Sequence, residues 1–560
     1  MDTTRLPNMG NIKQFLASPR ATTVLYVLLF FAVSWLSYGA YVRVDLSTTG
    51  AMRITSTTKN LLRSLPEKAV IELFVSNDLP DEAVLVARKA RDFIQEYVNS
   101  SRGRVKLIVL DPDHDKAAAA RANDLHIQQL DLRVGGSKKA QAQSIYFGLA
   151  ISYGTKSEAV NNLIGLYEQH DLENQLTAKL FRMVKPNERK IAIMSGHGPF
   201  NQKKERSPTS LSLFADRMNA VYGDLLEVNP ATADIPVEVS TLIIVQPGKL
   251  EPIERFRLDQ FVMRGGNLII ASSGMDVNFS QQFMASPGAP DLAEFLKGYG
   301  IELAADMVNE AKPNYFVPFV QQGFKAPYPP WVVAQKENLS QENLASRGNS
   351  ALILPYTSSI KVNSGMLPSG EGQGKFKVDI IAKSTGEAWS QSNFAFLDPN
   401  KMQEMMSAPK QTTGTYNLAV MVQGKFPSQY ASLVPPKEAP KTYLKAAEKD
   451  SRILVIGTPY ALSNMMFILS EMLGAIDMQS GKALLLEENF KLIFPAVDLM
   501  NGNDELLELR KKANPRIKTR MVEDGARKIF TLLAFAIPLL TILVFGAYRL
   551  TRRKNLAPAG

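Results

Sequence analysis

Two long uncharged apolar segments lie near the two ends of the chain and constrain its fold more than any other feature. They occupy residues 21–42 and 529–548. A helix of this length spans about 30 Å, which matches the hydrocarbon core of a bilayer. Trp35, Tyr38 and Tyr41 lie toward one end of the first segment, where a membrane interface favours aromatic rings. We therefore predict two transmembrane helices.

The charged residues around these segments predict an orientation. The short tails at 1–20 and 549–560 are basic, and such tails stay cytoplasmic under the positive-inside rule. Residues 43–528 would then lie outside the cytoplasm. A cleaved signal peptide plus a buried core helix is the alternative, but the first segment is too long for most signal peptides and lacks a clear cleavage site. We expect a protein of the bacterial inner membrane with two spans and a periplasmic body.

The composition excludes several classes of function. The chain has no cysteine, so disulfides, thiolate metal sites, cysteine nucleophiles and dithiol redox chemistry are excluded. Most of the net charge of +10 lies in the two terminal tails, which leaves the body nearly neutral. A nearly neutral body predicts no nucleic-acid partner. With only four histidines in the chain, we also expect no metal and no cofactor.

Apolar strands and amphipathic helices alternate after the first segment. The predicted strands are 69–76 and 104–111, the predicted helices are 81–100 and 116–124, and residues 144–163 form a predicted hairpin. The hairpin turns at Gly154 and Thr155, and a helix with a leucine stripe from Leu172 to Leu180 follows it. The resulting β-α-β-α-β-β-α order is that of thioredoxin-like domains, although the missing cysteines exclude a redox enzyme.

A second pattern begins after residue 186. KIAIMSGHG at 190–198 opens it with a strand that has SGHG at its carboxyl end, and further strands are predicted at 241–248, 267–274 and 452–459. The predicted helices are 209–222 and 253–266, and 488–512 is a predicted helix followed by a turn. Short, continuously apolar strands that alternate with helices indicate a parallel, doubly wound sheet. This pattern is interrupted between about 305 and 445 by segments rich in Pro, Gly and Ser and by strands that look antiparallel. We interpret the interruption as a β-rich insertion.

The predicted fold class is α/β, with two transmembrane helices flanking a thioredoxin-like-order domain and a doubly wound domain that carries the insertion. The expected boundaries are a cytoplasmic tail at 1–20, a transmembrane helix at 21–42, the first α/β domain at 43–185, the first part of the second domain at 186–304, the insertion and linker at 305–450, the last part of the second domain at 451–515, a juxtamembrane linker at 516–528, a transmembrane helix at 529–548 and a cytoplasmic tail at 549–560.

The most distinctive polar patch is SGHG at 195–198. It follows a predicted strand of the parallel sheet, where ligands bind in α/β proteins. The candidate ligand-binding residues are Ser195, Gly196, His197, Gly198, Ser272 and Ser273. With Asp276 these could form a serine–histidine–acid hydrolase site, but the G-x-S-x-G motif of such enzymes is absent. We predict no catalytic residue, and either a vestigial binding cleft or a structural role for the patch.

Two other motifs have structural explanations. GEGQGKF at 370–376 resembles a Walker A motif, but Ser369 and Phe376 stand where glycine and Ser/Thr are needed. Any ATP hydrolysis must therefore come from a partner. DPDHD at 111–115 lacks the glycine and glutamate of a calcium-binding EF-hand loop, so a strand-end turn and helix cap is favoured.

Several short motifs together resemble one known family, the auxiliary, substrate-binding-like subunits of gliding-motility-type ABC transporters. The motifs are RVDLS at 43–47, FVS at 74–76, LP at 79–80, DP at 111–112, SIYFG at 144–148, SGHG at 195–198, RGG at 264–266, NF at 489–490 and DLMNG at 498–502. Each is weak by itself, but their order and the flanking apolar segments match the family over nearly the whole chain.

The resemblance implies an extracytoplasmic body partnered by an ABC permease and a cytoplasmic ABC ATPase. It also implies that the second domain resembles the class I glutamine amidotransferase fold, whose activity needs a cysteine that this chain lacks. The first hypothesis is a non-enzymatic transporter subunit that binds a ligand or couples the permease and ATPase cycle to the cell envelope. The second is a membrane-tethered hydrolase that acts on envelope glycans or peptides. The lipid bilayer is an expected partner, and a second copy of the chain is a further candidate.

Overall fold

The computed structural model describes the body of the chain. The described residues are 54–134, 141–168, 172–184, 189–196, 198–203, 205–279, 284–310, 314–318, 325–363, 376–393, 395–398, 412–472, 484–503 and 507. They all belong to Met1–Ala513, the first of two compact units. Both predicted membrane spans, both tails and the glycine-rich part of the Walker-like motif lie outside them. Among the described residues, no helix has the length and apolarity needed to cross a membrane.

Ten α-helices and 23 strands lie within the described residues. The helices are α1 (Ser56–Arg63), α2 (Asp81–Ser100), α3 (Lys116–Asp124), α4 (Leu163–Glu168), α5 (Leu172–Val184), α6 (Ser212–Tyr222), α7 (Pro252–Met263), α8 (Pro290–Lys297), α9 (Met465–Met472) and α10 (Leu484–Asn501). The strands are β1 (Ala69–Val75), β2 (Val105–Leu110), β3 (Gln129–Val134), β4 (Gln141–Tyr153), β5 (Lys156–Val160), β6 (Lys190–Met194), β7 (Leu226–Val228), β8 (Val239–Val245), β9 (Asn267–Ala271), β10 (Met275–Asn278), β11 (Met284–Pro287), β12 (Ile301–Leu303), β13 (Asp306–Asn309), β14 (Asn314–Pro318), β15 (Lys325–Gln335), β16 (Ala351–Pro355), β17 (Ile360–Val362), β18 (Lys377–Lys383), β19 (Trp389–Ser392), β20 (Ala395–Phe396), β21 (Thr412–Thr413), β22 (Asn417–Gly424) and β23 (Ser451–Ile456). The protein is therefore a mixed α/β protein, as predicted.

The amino-terminal half contains a five-stranded sheet in the order β2-β1-β4-β3, with β5 also paired to β4. Strands β1 and β2 are parallel, and β4 is antiparallel to β1 and to β5. The β4–β5 hairpin turns at Gly154, whose φ is +58°, as the sequence predicted. From β1 onward the element order matches the predicted one, except that β3 and α4 were not predicted. The leucine stripe of α5 is buried against this sheet.

The DPDHD segment connects the end of β2 to the start of α3. The Asp115 side chain accepts a hydrogen bond from the Ala117 backbone N–H at 2.8 Å and caps the helix. Asp111 accepts a hydrogen bond from the Asn77 side chain at 2.6 Å and lies 2.8 Å from His114 Nδ1. The predicted turn and helix cap is confirmed. Within the described ranges, no cluster of acidic or histidine side chains could hold a metal ion.

The carboxyl-terminal half is built on a seven-stranded sheet in the order β18-β22-β23-β9-β8-β6-β7. Strands β7, β6, β8, β9 and β23 are parallel, so the predicted parallel sheet is present. Helices cover both of its faces. One face packs against α6, α9 and α10, where Phe214 stacks on Phe490 at 5.6 Å. The other face packs against α7 and α8.

Two strands of the predicted insertion belong to this sheet. Strands β22 and β18 are antiparallel and extend the sheet beyond β23, with Met421 opposite Leu454. The physical reason is burial. β22 is apolar on both faces, so it is stable inside a sheet, where strands pair with both of its edges and other elements cover both of its faces. The rest of the insertion lies in smaller antiparallel sheets. The domain boundaries given above stay predictions.

Candidate functional site

Four loops meet at the carboxyl edge of the parallel strands. They follow β6, β8, β9 and β23 and contain residues 195–198, 246–248, 272–274 and 457–459. The carboxyl edge of an open α/β sheet is where ligands usually bind. The structure thus brings the candidate residues Ser195, Gly196, Gly198, Ser272 and Ser273 to one edge, while His197 lies outside the described residues.

The loops after β6 and β8 touch each other through their backbones. The strand order reverses between these two strands, which is the point where a ligand crevice is expected. Gly198 has a φ of +67°, and a Cβ atom there would lie 2.5 Å from the Gln246 carbonyl oxygen and 3.1 Å from the Gly248 nitrogen. Gly196 has a φ of +85°, and a Cβ atom there would lie 2.6 Å from Asn229 Nδ2. These glycines permit close packing, which fills the crevice with protein atoms.

The two candidate serines after β9 are completely buried and hydrogen-bonded to one amide side chain. Ser272 Oγ donates to Gln246 Oε1 at 2.8 Å, and the Ser273 backbone N–H donates to the same oxygen at 2.7 Å. Gln246 Nε2 in turn donates to the Ser273 carbonyl at 3.2 Å and to Asp276 Oδ1 at 2.8 Å. Gln246 therefore uses both ends of its amide to hold the loop after β9.

Gln246 was missed by sequence reasoning. It directly follows the apolar strand TLIIV, and a polar residue at that position was the available signal. Its φ of +35° is unusual for a residue with a side chain. The surrounding hydrogen bonds keep the backbone in this conformation, because the Gln246 N–H donates to the Ala271 carbonyl at 2.9 Å.

The insertion is tied to the same edge through serines. Ser273 Oγ lies 2.9 Å from Ser358 Oγ, and Ser358 Oγ also lies 2.6 Å from the Asp306 carbonyl oxygen, to which it donates. The neighbouring Ser359 donates from both its N–H and its hydroxyl to the Asp306 carboxylate at 2.8 Å. Burial raises the pKa of Asp306, and these hydrogen bonds oppose that rise. The carboxyl edge is therefore joined to the insertion by a buried polar network.

A cluster of buried aromatic side chains lies above the network. Tyr460 contacts Phe200 edge-on at 5.4 Å and Tyr356 at 5.5 Å, and Tyr356 contacts Tyr328 at 6.3 Å. Burial raises the pKa of the Tyr460 and Tyr356 hydroxyls, so both stay neutral at physiological pH. This cluster joins the loop after β6 to the loop after β23 and to the insertion.

The chemistry available at this edge is limited by these contacts. A nucleophilic serine needs a base that takes its proton and a third group that orients the base. Among the described residues, the hydroxyls of Ser272 and Ser273 bond to Gln246 and Ser358 and to no basic group. The carboxylate of Asp276 bonds to an amide. The described hydrogen bonds are those of a structural network.

Comparison with family models identifies the chain. A model described as an ABC-type uncharacterized transport system matches residues 188–486, which is more than half of the chain. The chain belongs to this ABC-transport auxiliary family. The matched region begins just before β6 and ends within α10, so it contains the whole carboxyl edge. A second model, described only as a domain of unknown function, matches residues 50–152 of this ABC-transport auxiliary protein.

Similarity to individual proteins adds little about function. An uncharacterized protein of Borreliella burgdorferi is 21% identical over 533 residues, which covers 92% of this chain and 94% of that protein. A ThuA-like protein structure from Bacteroides uniformis is 14% identical and covers 55% of this chain and 91% of its own, with a TM-score of 0.25. An exo-β-1,4-mannosidase from an Opitutaceae bacterium is 10% identical. The match covers 80% of this chain and 55% of that protein, also with a TM-score of 0.25. TM-scores this low carry no argument about fold or function.

Proposed function

We propose that this protein is a non-enzymatic, membrane-anchored subunit of an ABC transporter, whose body lies outside the cytoplasm and couples the permease and ATPase cycle to the cell envelope. Family membership supports a role in ABC transport. The apolar segments at 21–42 and 529–548 and the basic tails beside them support two anchors and an extracytoplasmic body.

The observation that carries the non-enzymatic part is the closed carboxyl edge. The serines that could act as nucleophiles are completely buried and hydrogen-bonded to Gln246 and Ser358. An enzyme of this fold class needs an open crevice at that edge for its substrate. Here the loops after β6 and β8 are in backbone contact and the insertion packs on the loop after β9, and this arrangement favours a body that transmits force or position over one that performs catalysis.

The partners are tested by purifying the tagged full-length chain from its own membrane in a mild detergent. We expect an ABC permease and an ABC ATPase to co-purify with it in fixed ratio. Deletion of residues 529–560 should release both partners, because small and hydroxyl residues in the spans favour contacts between membrane helices. A control chain in which 529–548 is replaced by a polyleucine helix of equal length separates anchoring from specific contact.

Two outcomes would contradict the proposal. Purification of the full-length chain without a permease or an ATPase would contradict the role in transport. Loss of cellular function in His197→Ala, with unchanged thermal stability and unchanged partners, would favour the tethered hydrolase. Recovery of both partners by the isolated 43–528 fragment would place the decisive contacts in the body.

A further inference from the structure

A cavity of about 440 Å³ lies at the opposite, amino edge of the seven-stranded sheet. It is bounded by the last turns of α5, the first residues of β6 and the segment between α6 and β7. The amino-terminal half and the parallel sheet thus both contribute to its wall. Phe181, Val221 and Leu225 give the wall an apolar part.

The polar part of the wall is mainly cationic. It contains Arg182 from α5 and Arg189 and Lys190 at the start of β6, opposed by the single acid Asp224. Arg189 Nη1 donates to the Asn501 carbonyl at 3.0 Å. The side chain of Lys190 forms no ion pair with another described residue, and Lys190 is exposed. The cavity therefore has an excess of positive charge.

Arg182 carries the strongest indication of an absent partner. Its Nη2 donates to Glu158 Oε2 at 2.6 Å. Its Nη1 is buried from solvent and has no hydrogen-bond partner among the described residues. Leaving a buried donor of a charged group without an acceptor is costly, and native structures rarely do so without a reason. Arg182 also lines the cavity and its side chain is 18% exposed, so a rotation of the guanidinium group would present this donor to an acceptor bound there.

We propose that this cavity binds a phosphate-bearing molecule that also has an apolar portion. Guanidinium groups present N–H donors in a fork that matches phosphate oxygens, and a lysine adds a mobile charge. The apolar wall suits the rest of such a ligand. A volume of about 440 Å³ falls within the range of small-molecule sites, so it exceeds the need of a bare ion.

The phosphate could come from an anionic phospholipid or from a soluble phosphorylated molecule. Helix α5 runs between the two ends of the described body. At its start Glu173 accepts a hydrogen bond from the Thr55 N–H at 2.7 Å, and near its end Arg182 shares the cavity with Asn503. If both ends of the chain are anchored in the membrane, as the proposed function requires, lipid headgroups are among the phosphates available to the body. The lipid source rests on that proposal, whereas the soluble source does not.

The test uses the full-length chain in a non-ionic detergent and two ligands, glycerol 3-phosphate and dioctanoyl phosphatidylglycerol. Isothermal titration should show saturable binding of at least one of them, and glycerol should show none. Arg182→Gln and Lys190→Gln should each weaken this binding about tenfold, because each removes one charged hydrogen bond. Lys336→Gln, which removes an exposed charge outside the cavity lining, should bind as the wild type does.

The outcomes distinguish a soluble ligand from a lipid headgroup, and they distinguish failure of this proposal from failure of the anchoring proposal. Binding of glycerol 3-phosphate indicates a soluble ligand, and binding of the lipid alone indicates a headgroup site. Absence of binding by both ligands would overturn the proposal, and so would equal binding by the wild type and the Arg182→Gln, Lys190→Gln double variant. If Arg182→Gln lowers the melting temperature, Lys190→Gln alone decides, since its exposed side chain forms no ion pair in the described part of the chain. Binding of glycerol 3-phosphate would stand even if the anchoring proposal failed.

Discussion

The carboxyl and amino edges of the seven-stranded sheet are formed by the same parallel strands, but they differ in what fills them. At the carboxyl edge, glycine-containing loops touch each other and a buried network joins Gln246 to the insertion. At the amino edge, a cavity remains between the sheet and α5, and it is lined by cations. The loops after β6 and β8, where the rule that ligands bind at carboxyl edges places a ligand, are therefore in contact with each other, and a cavity lies at the edge that the rule does not indicate.

The difference shows how an insertion changes which loops of an α/β sheet are covered. Backbone dipoles and loop geometry still favour the carboxyl edge for binding, but Ser358, from the chain between β9 and β23, packs on the loop after β9 at that edge. The amino edge is lined instead by α5, which packs on the five-stranded sheet, and a cavity remains between that helix and the segments around β6 and β7. The stabilities of three variants test this difference between the two edges.

The largest effect is expected for Gly274→Ala at the closed edge. A Cβ atom at Gly274 would overlap the Ala304 carbonyl oxygen and lie 2.7 Å from its carbonyl carbon, which is backbone that cannot rotate away. We expect a loss of about 3 kcal/mol in the free energy of unfolding, measured by chemical denaturation. Gly414→Ala is the control, since a Cβ atom there meets no atom within 4 Å. Equal stability of the two variants would show that the edge is not closely packed.

An intermediate effect is expected for Gln246→Leu. The leucine keeps the volume but leaves Ser272 Oγ, the Ser273 N–H and Asp276 without the amide that pairs with them. Loss of buried hydrogen-bond partners should lower the free energy of unfolding by about 2 kcal/mol. Gln202→Leu is the control, because that amide bonds to Glu227 on the exposed surface and should change stability by less than about 0.5 kcal/mol. A stable Gln246→Leu variant would mean that the network does not hold the edge.

The smallest effect is expected for Glu158→Gln beside the open edge. Glu158 Oε2 pairs with Arg182 at 2.6 Å and with Lys179 at 3.1 Å, and all three side chains are partly buried. We expect a loss of about 1 kcal/mol at pH 7. Glu294→Gln, which removes the exposed partner of Arg255, should change the free energy of unfolding by only a few tenths of a kcal/mol.

The pH dependence of this variant has a definite sign. Burial lowers the pKa of Lys179 below 10.5, and Glu158 opposes that shift, so the variant should lower this pKa further. A lysine with a lower pKa in the folded state binds fewer protons there than when unfolded. Stability therefore rises with pH between the folded pKa and 10.5. The deficit of Glu158→Gln should shrink as the pH is raised through this window, and a deficit independent of pH would contradict the role of Lys179.

Much of the local structure could be predicted from the sequence. The predicted helix at 81–100 coincides with α2, the cap at Asp115 begins α3, and the hairpin turns at Gly154. These features depend on hydrogen bonds and apolar spacing among near neighbours, which the sequence displays directly. The carboxyl edge could also be predicted as the place where Ser195 and Ser272 come together, because parallel strands end on the same side.

The closed state of that edge could not be predicted in this way. It depends on Ser358, which lies 85 positions from Ser273, and on the backbone contact between Gly198 and Gly248. The membership of β22 and β18 in the main sheet likewise depends on a partner, β23, and on the helices that cover both faces. The sequence pattern of two antiparallel strands is the same whether the strands form a sheet of their own or extend a neighbouring sheet.

The strands, helices and turns, the absence of thiol chemistry and the two apolar terminal segments follow from the sequence alone. Each of these follows from residues within a few positions of one another or from composition alone. Which loops and helices come together at each edge of the sheet is a property of the tertiary structure. It depends on contacts such as Ser273 with Ser358 and Arg189 with Asn501, which lie 85 and 312 positions apart, and side-chain shape at such contacts has no signature in a single sequence.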